Sequence, residues 1–186
     1  MILKKAPKKL TLDSFNLKTC CDQYWWNPAS KLLENPKIMR WVLAGALSPE
    51  QAQNELQQWQ KQWQKYGYGN YFVTDKQEKT LLGFIKIYNS PRSEFPQIGY
   101  AVDTPYQGRG LGTKFAETAQ DIAFEILNQT QLSAYARVQN HPSRRILEKV
   151  GFRCDNDNLW FDNRDYCQYS LTQERYFQML GIRQAS

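Results

Sequence analysis

A loop with three glycines follows a strand-like segment and precedes a segment with helical spacing. Apolar and small residues alternate over Ile98–Val102, Pro105 ends this pattern, and the loop then contains Gly108, Gly110 and Gly112. Such a loop at a helix N-terminus can cradle a phosphate, because several amides converge there and the helix dipole favours an anion. Glycine also lets the backbone approach the ligand closely. The pattern predicts a phosphate-bearing ligand, and the alternative is a tight strand-to-helix turn that holds none.

Two common phosphate loops do not match these residues. The loop of nucleoside-triphosphate hydrolases requires Gly-x-x-x-x-Gly-Lys-Ser/Thr, whereas here Thr113 precedes Lys114 and position 107 is glutamine. The dinucleotide loop requires Gly-x-Gly-x-x-Gly with an acidic residue about 20 positions further on, at a strand end. The glycines here are spaced differently, and the acidic candidates fall inside the following helical segment. Both classes are excluded.

Two blocks of sequence resemble the GCN5-related N-acetyltransferase family. Gln107-x-x-Gly110-x-Gly112 resembles that family's acetyl-CoA pyrophosphate loop, Gln/Arg-x-x-Gly-x-Gly/Ala. About thirty residues later, the segment from Asn140 to Phe152 is similar to its second cofactor segment, Asn-x-x-Ser/Ala-x-x-x-Leu/Tyr-Glu-Lys-x-Gly-Phe. The resemblance covers roughly residues 81 to 153. It is closest to the branch that includes ribosomal-protein N-terminal acetyltransferases and antibiotic-modifying relatives.

The resemblance implies a fold, an activity and a cofactor site. The implied fold is α/β: a mixed, mostly antiparallel sheet of about six or seven strands with helices on both faces. Its central strands are splayed, with the pantetheine arm of coenzyme A between them. The implied activity is transfer of an acetyl group from acetyl-CoA to a primary amine, a small molecule or a protein N-terminus, by direct attack on the thioester. The implied cofactor-binding residues are Ala101, Val102, Gln107, Gly108, Arg109, Gly110, Leu111, Gly112, Thr113, Asn140 and Ser143.

The candidate general acid is a serine. Many relatives place a tyrosine where Leu147 stands, and leucine cannot donate a proton to the departing thiolate. Ser143, in the first turn of the same predicted helix, is therefore the candidate. In the alternative interpretation Ser143 and Asn140 only cap the helix. We expect His141 to be the N-cap, since it precedes Pro142 and resists helical angles.

The general base is harder to assign. Gln97 stands where this branch often has a glutamate, and glutamine does not accept a proton at neutral pH. Glu94, in a predicted loop over 89–96, is the candidate base. The alternative base is a chain of water molecules, with Glu94 merely solvated.

Two alternatives also remain for the function as a whole. The chain could be a relative that binds acetyl-CoA as a sensor or scaffold without turnover, or it could transfer a longer acyl group.

Composition limits the remaining possibilities. The 186 residues predict one domain over 1–186, and the net charge of +6 suits a polyanionic coenzyme. A monomer or homodimer is expected, although no sequence feature decides between the two. With a single histidine and no Cys-x-x-Cys spacing, no metal site is expected. A nucleic-acid partner is not expected either. No apolar run is long enough to span a membrane, and the first residues lack the apolar h-region of a secretory signal, so the expected location is the cytoplasm.

Sequence patterns also predict several elements around the proposed site. A first strand is expected over Lys9–Phe15, a capped helix from Ser48 to Gly67, and a last hairpin that turns at Asp155–Asn158. Acceptor selectivity is assigned to residues 24–47, 89–96 and this hairpin. The aromatic residues of the first segment form either a cleft or part of the core: Tyr24, Trp25, Trp26 and Trp41.

Overall fold

The computed structural model describes residues 5–42 and 45–184, which form one eight-stranded sheet with helices on both faces. The strand order is β1-β2-β3-β4-β5-β6-β8-β7. All neighbouring strands pair antiparallel except β5 and β6, which are parallel. The strands are β1 Lys9–Thr11, β2 Asn16–Thr19, β3 Tyr71–Thr74, β4 Leu81–Ser90, β5 Ser93–Val102, β6 Gln131–Arg137, β7 Arg153–Phe161 and β8 Arg164–Thr172.

The mixed, mostly antiparallel sheet is confirmed, but the part of the chain that the structure describes forms eight strands rather than six or seven. The segment predicted as one strand from Lys9 to Phe15 turns back on itself, with the Leu12 amide bonded to the Phe15 carbonyl at 3.0 Å. It therefore supplies β1 and leads into β2, and these two strands pair with each other.

Within the described residues, six α-helices surround the sheet: α1 Trp26–Glu34, α2 Pro36–Met39, α3 Pro49–Tyr66, α4 Leu111–Asp121, α5 His141–Lys149 and α6 Gln173–Gln184. Short 3-10 turns cover Gln23–Trp25 and Thr104–Tyr106, and α4 continues into a π-helical turn over Ile122–Ile126. The C-terminal helix α6 was not predicted. In the described part of the chain, no helix combines the length and apolar character needed to cross a bilayer.

Helix α3 forms as its sequence predicts. Ser48 accepts a bond from the Gln51 amide, and Gln51 accepts one from the Ser48 amide, so the capping box is complete. The helix ends at Gly67, whose φ of 72° is easy for glycine. Its apolar side packs on the sheet, where Trp59 contacts the rings of Phe72 and Phe84.

The two faces of the sheet carry different helices. Because side chains alternate along a strand, Phe84 faces α3, whereas its neighbour Gly83 faces Phe115 of α4. We call these the α3 face and the α4/α5 face. By the same alternation and the observed register, Tyr88 and Gln97 lie on the α3 face, and Tyr100 lies on the α4/α5 face.

Two hairpins differ from the predictions. Residues 89–96 are not a loop, because β4 runs to Ser90 and β5 begins at Ser93; Glu94 therefore lies in a strand. The last hairpin does not turn at Asp155–Asn158, which belong to β7 and are accommodated by register irregularities. Its turn is at Asp162 and Asn163, with φ of 49° and 57°. This conformation suits a two-residue hairpin turn, in which Asp and Asn are tolerated.

The central strands are splayed. Strands β5 and β6 share one register pair, Gln97 with Ser133. Beyond it, residues 98–102 of β5 remain paired with β4, and the rest of β6 is paired with β8. In the described chain, β5 thus has a backbone edge facing β6 without a ladder partner. We call the space between these strands the gap.

Candidate active site

The glycine-rich loop lies at the open end of the gap. It begins directly after β5, where Asp103 caps a 3-10 turn by accepting from the Thr104 amide. The loop ends at Gly110, the N-cap of α4. Gly108 and Gly110 have φ of 76° and 77°, a left-handed conformation that favours glycine. The predicted strand, loop and helix therefore follow one another in space as they do in sequence.

Backbone amides are available in this loop from Gly108 onward. Among the described residues no acceptor is found for the amides of residues 108–113, and the first helical bond is donated by Lys114 to the Gly110 carbonyl at 3.2 Å. Four orphan amides are expected at any helix N-terminus, but here no side chain caps them. The loop therefore retains the donors that a pyrophosphate requires.

Gln107 differs from the expectation for this loop. Its amide donates to the Thr104 carbonyl at 3.3 Å, and its side-chain nitrogen donates to the Val102 carbonyl at 2.9 Å. Both donors are engaged within the chain, so Gln107 closes the loop onto the end of β5. The set of free amides begins one residue later than expected.

Gly112 keeps two helices close together. A β-carbon at this position would lie 2.9 Å from Cδ1 of Ile146 on α5 and 3.9 Å from Cε2 of Tyr100. Gly112 has no positive φ, so its small size is what the fold uses here. As a result, the first turn of α4 packs against α5 at Ile146, next to Tyr100 of β5.

Ser143 of α5 and Tyr100 of β5 lie next to each other. Their hydroxyl oxygens are 3.3 Å apart, and either can be the donor. Burial raises the pKa of Tyr100 well above its usual value, and the bond to Ser143 offsets this only in part, so the tyrosine stays protonated. The sequence motifs did not identify Tyr100 as part of the site. The alternation of Ile98, Tyr100 and Val102 on one strand face is the signal that could have placed it beside the helices.

Asn140, not His141, is the N-cap of α5. Its side-chain oxygen accepts from the Ser143 amide at 3.3 Å, and its carbonyl accepts from the Arg144 amide. His141 is the first helical residue and is exposed. Capping of α5 by Asn140 is thus observed, while its amide nitrogen is left for other contacts. Leu147 is buried in the core, with 2% of its surface exposed.

Gln97 lies at the closed end of the gap. It is 3% exposed, and its side-chain nitrogen has no hydrogen-bond partner in the described part of the protein. Glu94 is exposed near the start of β5, three residues away, which corresponds to roughly 10 Å along a strand. Three residues apart on one strand, the two side chains also point to opposite faces of the sheet. The Glu94 carboxylate therefore does not lie beside Gln97 and could act on a group there only through a chain of water.

Further polar groups lie on the α3 face beside Gln97. Tyr88 pairs with Gln97 across β4 and β5, and burial raises the pKa of Tyr88 to about 12. Burial works to raise the pKa of Glu55 on α3, but the nearby Lys86 ammonium, 3.2 Å away, and the Trp59 indole lower it by more. Glu55 is therefore an ion-paired carboxylate, and no sequence motif indicated its position. In the described residues no cluster of three His, Cys, Asp or Glu side chains could hold a metal.

The aromatic residues of the 24–47 segment divide between core and surface. Trp25 is core, Tyr24 is exposed, and Trp26 donates to the Cys20 carbonyl at 2.7 Å. Trp41 lies next to two arginines, Arg40 and Arg137. Residues 43 and 44 of this segment lie outside the described residues.

Comparisons with known proteins point to one family. A family model described as an acetyltransferase (GNAT) domain matches residues 25–153. The uncharacterized N-acetyltransferase YnaD of Bacillus subtilis is 22% identical over 168 residues, covering 86% of this chain and 92% of that protein.

Solved structures share the fold. A GNAT-family acetyltransferase from Bordetella pertussis superposes with a TM-score of 0.76 at 22% identity, covering 88% of this chain and 99% of that one. Spermidine N-acetyltransferase from Vibrio cholerae, solved with CoA and spermine, has a TM-score of 0.73 at 19% identity, covering 88% and 98%. Because the family model spans well over half of the sequence, the chain belongs to the GNAT family of N-acetyltransferases.

Proposed function

We propose that residues 1–186 form one acetyltransferase domain that transfers an acetyl group from acetyl-CoA to a primary amine by direct attack on the thioester. The observation that carries this proposal is the position of the free amides of residues 108–113, at the open end of a gap whose β5 edge has no ladder partner. The amides suit a pyrophosphate, and the strand edge suits an extended amide-bearing arm such as pantetheine.

Each residue has a defined part in this proposal. The β5 edge beside Ala101 and Val102 would bond the pantetheine arm, with the Val102 amide as donor because the Val102 carbonyl already accepts from the Gln107 side chain. The amide nitrogen of Asn140 would contact the arm from α5. Bound acetyl-CoA supplies the thioester that the amine attacks. The Ser143 hydroxyl would give its proton to the departing thiolate, and Tyr100 would orient that hydroxyl. Glu94 would take the proton of the amine through water.

Calorimetric titration with acetyl-CoA tests the cofactor part of this proposal. We expect Gly110→Asp to weaken binding at least tenfold more than Gly110→Asn. Both side chains have the same shape and tolerate positive φ, and a β-carbon at this position meets no other atom within 4 Å. The difference between the two variants therefore reports the added negative charge. Equal affinity in the two variants would show that the loop does not hold the pyrophosphate.

A second candidate is a relative that binds acetyl-CoA without turning it over. Two residues favour it: Gln97, which cannot act as a base, and Leu147, which is buried and cannot act as an acid. Release of coenzyme A thiol in the presence of an amine separates the candidates, because a sensor or scaffold would bind the coenzyme and release none.

A further inference from the structure

The acceptor amine has one open route to the proposed thioester. On the α4/α5 face, the first turn of α4 packs at Gly112 against Ile146 of α5, and both Gly112 and Ser143 lie beside Tyr100 of β5. An acceptor on that side would compete with the coenzyme. It must therefore approach from the α3 face, where Tyr88, Gln97 and Ser133 lie. This step rests on the proposed function.

Chain segments from three parts of the sequence converge on the α3 face of β6 and β8. Arg137 donates to the Arg40 carbonyl at 3.2 Å, and Arg164 donates to the Val42 carbonyl at 3.2 Å. The β4–β5 hairpin joins them, since Arg92 pairs with Asp162 at 3.0 Å. These contacts bring residues 40–42, the β4–β5 turn and the β7–β8 turn together around the α3 side of β6 and β8. We call this surface, which carries Arg137 and Tyr166, the acceptor face.

Two arginines of the acceptor face lack carboxylate partners. The guanidinium carbons of Arg40 and Arg137 lie 4.9 and 5.6 Å from the centre of the Trp41 ring. Neither forms an ion pair within the described chain. Of the nearby carboxylates, Asp162 pairs with Arg92, and Asp155 accepts from the Ser170 hydroxyl at 3.0 Å rather than pairing with either arginine. Two like charges at one indole favour a ligand that supplies the missing negative charge.

The polar atoms left over on this face include two donors. Tyr166, which pairs with Arg137 across β6 and β8, is 4% exposed, and its hydroxyl has no partner in the described structure. The unpartnered nitrogen of Gln97 is likewise a donor. A buried donor without a partner costs free energy, which an anionic or carbonyl oxygen would recover. The face therefore offers positive charge and hydrogen-bond donors to a ligand.

We infer that the acceptor is a primary amine that also carries a carboxylate, and that Arg137, with Arg40 and Trp41, binds this carboxylate. A polyamine such as spermidine is disfavoured, because its further cations would meet these guanidinium groups.

The spacing indicates what kind of molecule carries both groups. Ser133, beside Gln97, and Arg137 are four residues apart on β6, roughly 13 Å along the strand. An α-amino acid is too short to reach from one to the other. An extended peptide advances about 3.4 Å per residue, so an N-terminal amine and an acidic side chain three or four residues later fit the separation. The acceptor is thus a peptide or protein N-terminus with an early acidic residue.

The test compares acceptors that differ in one charge. Native protein is given acetyl-CoA with an extended tetrapeptide that ends in glutamate (C-terminus amidated), the same peptide with glutamine, free glutamate, or spermidine. We expect kcat/KM for the glutamate peptide to exceed that for the matched glutamine peptide about tenfold. The difference should lie in a lower KM for the glutamate peptide, with kcat unchanged. Arg137→Gln should reduce this ratio to near one. The control Lys61→Gln, which removes an exposed charge on α3, should leave it unchanged.

Several outcomes would overturn the inference: equal rates with both peptides, a preference for spermidine, or a ratio that survives Arg137→Gln. A preference for free glutamate would keep the carboxylate but reject the peptide. If Arg137→Gln does not fold, Arg40→Gln serves in its place.

The preference between the two peptides can also be measured as binding affinity, without turnover. Each peptide is titrated calorimetrically into protein saturated with coenzyme A, and we expect the same tenfold ratio in Kd. Loss of turnover with this ratio retained would contradict the proposed activity but not the anionic acceptor. Equal Kd values for the two peptides would contradict the acceptor inference alone.

Discussion

The pair Tyr100 and Ser143 shows how single residues could replace a missing tyrosine. Position 147 holds a buried leucine, yet a tyrosine from β5 reaches the same helix one turn earlier and meets the Ser143 hydroxyl at 3.3 Å. Because burial keeps Tyr100 protonated, it is a poor proton source but a stable hydrogen-bond partner. The sequence predicted Ser143 from a motif. It could not predict this pairing, which depends on the distance between β5 and α5.

Substitution of these two hydroxyls should therefore have unequal effects. We expect Ser143→Ala to lower kcat about a hundredfold with little change in the Kd of acetyl-CoA, because it removes the proton donor. Tyr100→Phe should lower kcat only a few-fold, since it removes an orienting bond. The double variant should resemble Ser143→Ala, as expected for residues that act as a unit. Steady-state kinetics measure all three. An unchanged kcat in Ser143→Ala would show that the serine only belongs to the helix cap.

At the scale of elements, the positions of helices and strands could be predicted better than their junctions. Helix α3 follows from its capping box and apolar stripe, both readable in the sequence. The last hairpin was placed wrongly, because Asp155–Asn158 and Asp162–Asn163 are both rich in turn-forming residues. Cross-strand pairing with β8 decides between them, and pairing is a tertiary property.

The junction between α4 and α5 provides a test at this scale. We expect Gly112→Ala to lower the free energy of unfolding by about 1 kcal/mol, because its β-carbon would lie 2.9 Å from Cδ1 of Ile146. In the Ile146→Val background that atom is absent. There the same change should be neutral or stabilising, since alanine favours the helix. Urea denaturation of the native protein, the two single variants and the double variant gives the coupling free energy between positions 112 and 146. The same destabilisation in both backgrounds would mean that the two helices are not held together at this contact.

At the scale of the whole molecule, the sheet consists of two halves that share one pair of residues. Strands β1–β5 and β6–β8 are joined in the ladder at Gln97 and Ser133. The family resemblance implied this splay, but no local pattern shows it, since each strand alone has ordinary strand periodicity. A ligand in the gap would contact both halves and so stabilise the folded state as a whole.

Thermal unfolding measures this effect. A ligand present at a hundredfold excess over its Kd stabilises the folded state by about 2.7 kcal/mol. For a protein of this size we expect acetyl-CoA to raise the Tm by roughly 5–10 °C. The Gly110→Asp protein at the same ligand concentration should show about half this rise or less, because tenfold weaker binding lowers the stabilisation to about 1.4 kcal/mol. A similar rise in both proteins would indicate that the coenzyme binds elsewhere.

The central claim is that this chain moves an acetyl group from acetyl-CoA to an amine. The most direct measurement follows coenzyme A thiol release and acetylated product together, with and without a primary amine. We predict thiol release that requires the amine, matches the acetylated product mole for mole, and is lost in Gly110→Asp. Binding of acetyl-CoA by native protein without amine-dependent thiol release, across acidic, neutral and polyamine acceptors, would contradict the claim and identify a protein that only binds the coenzyme.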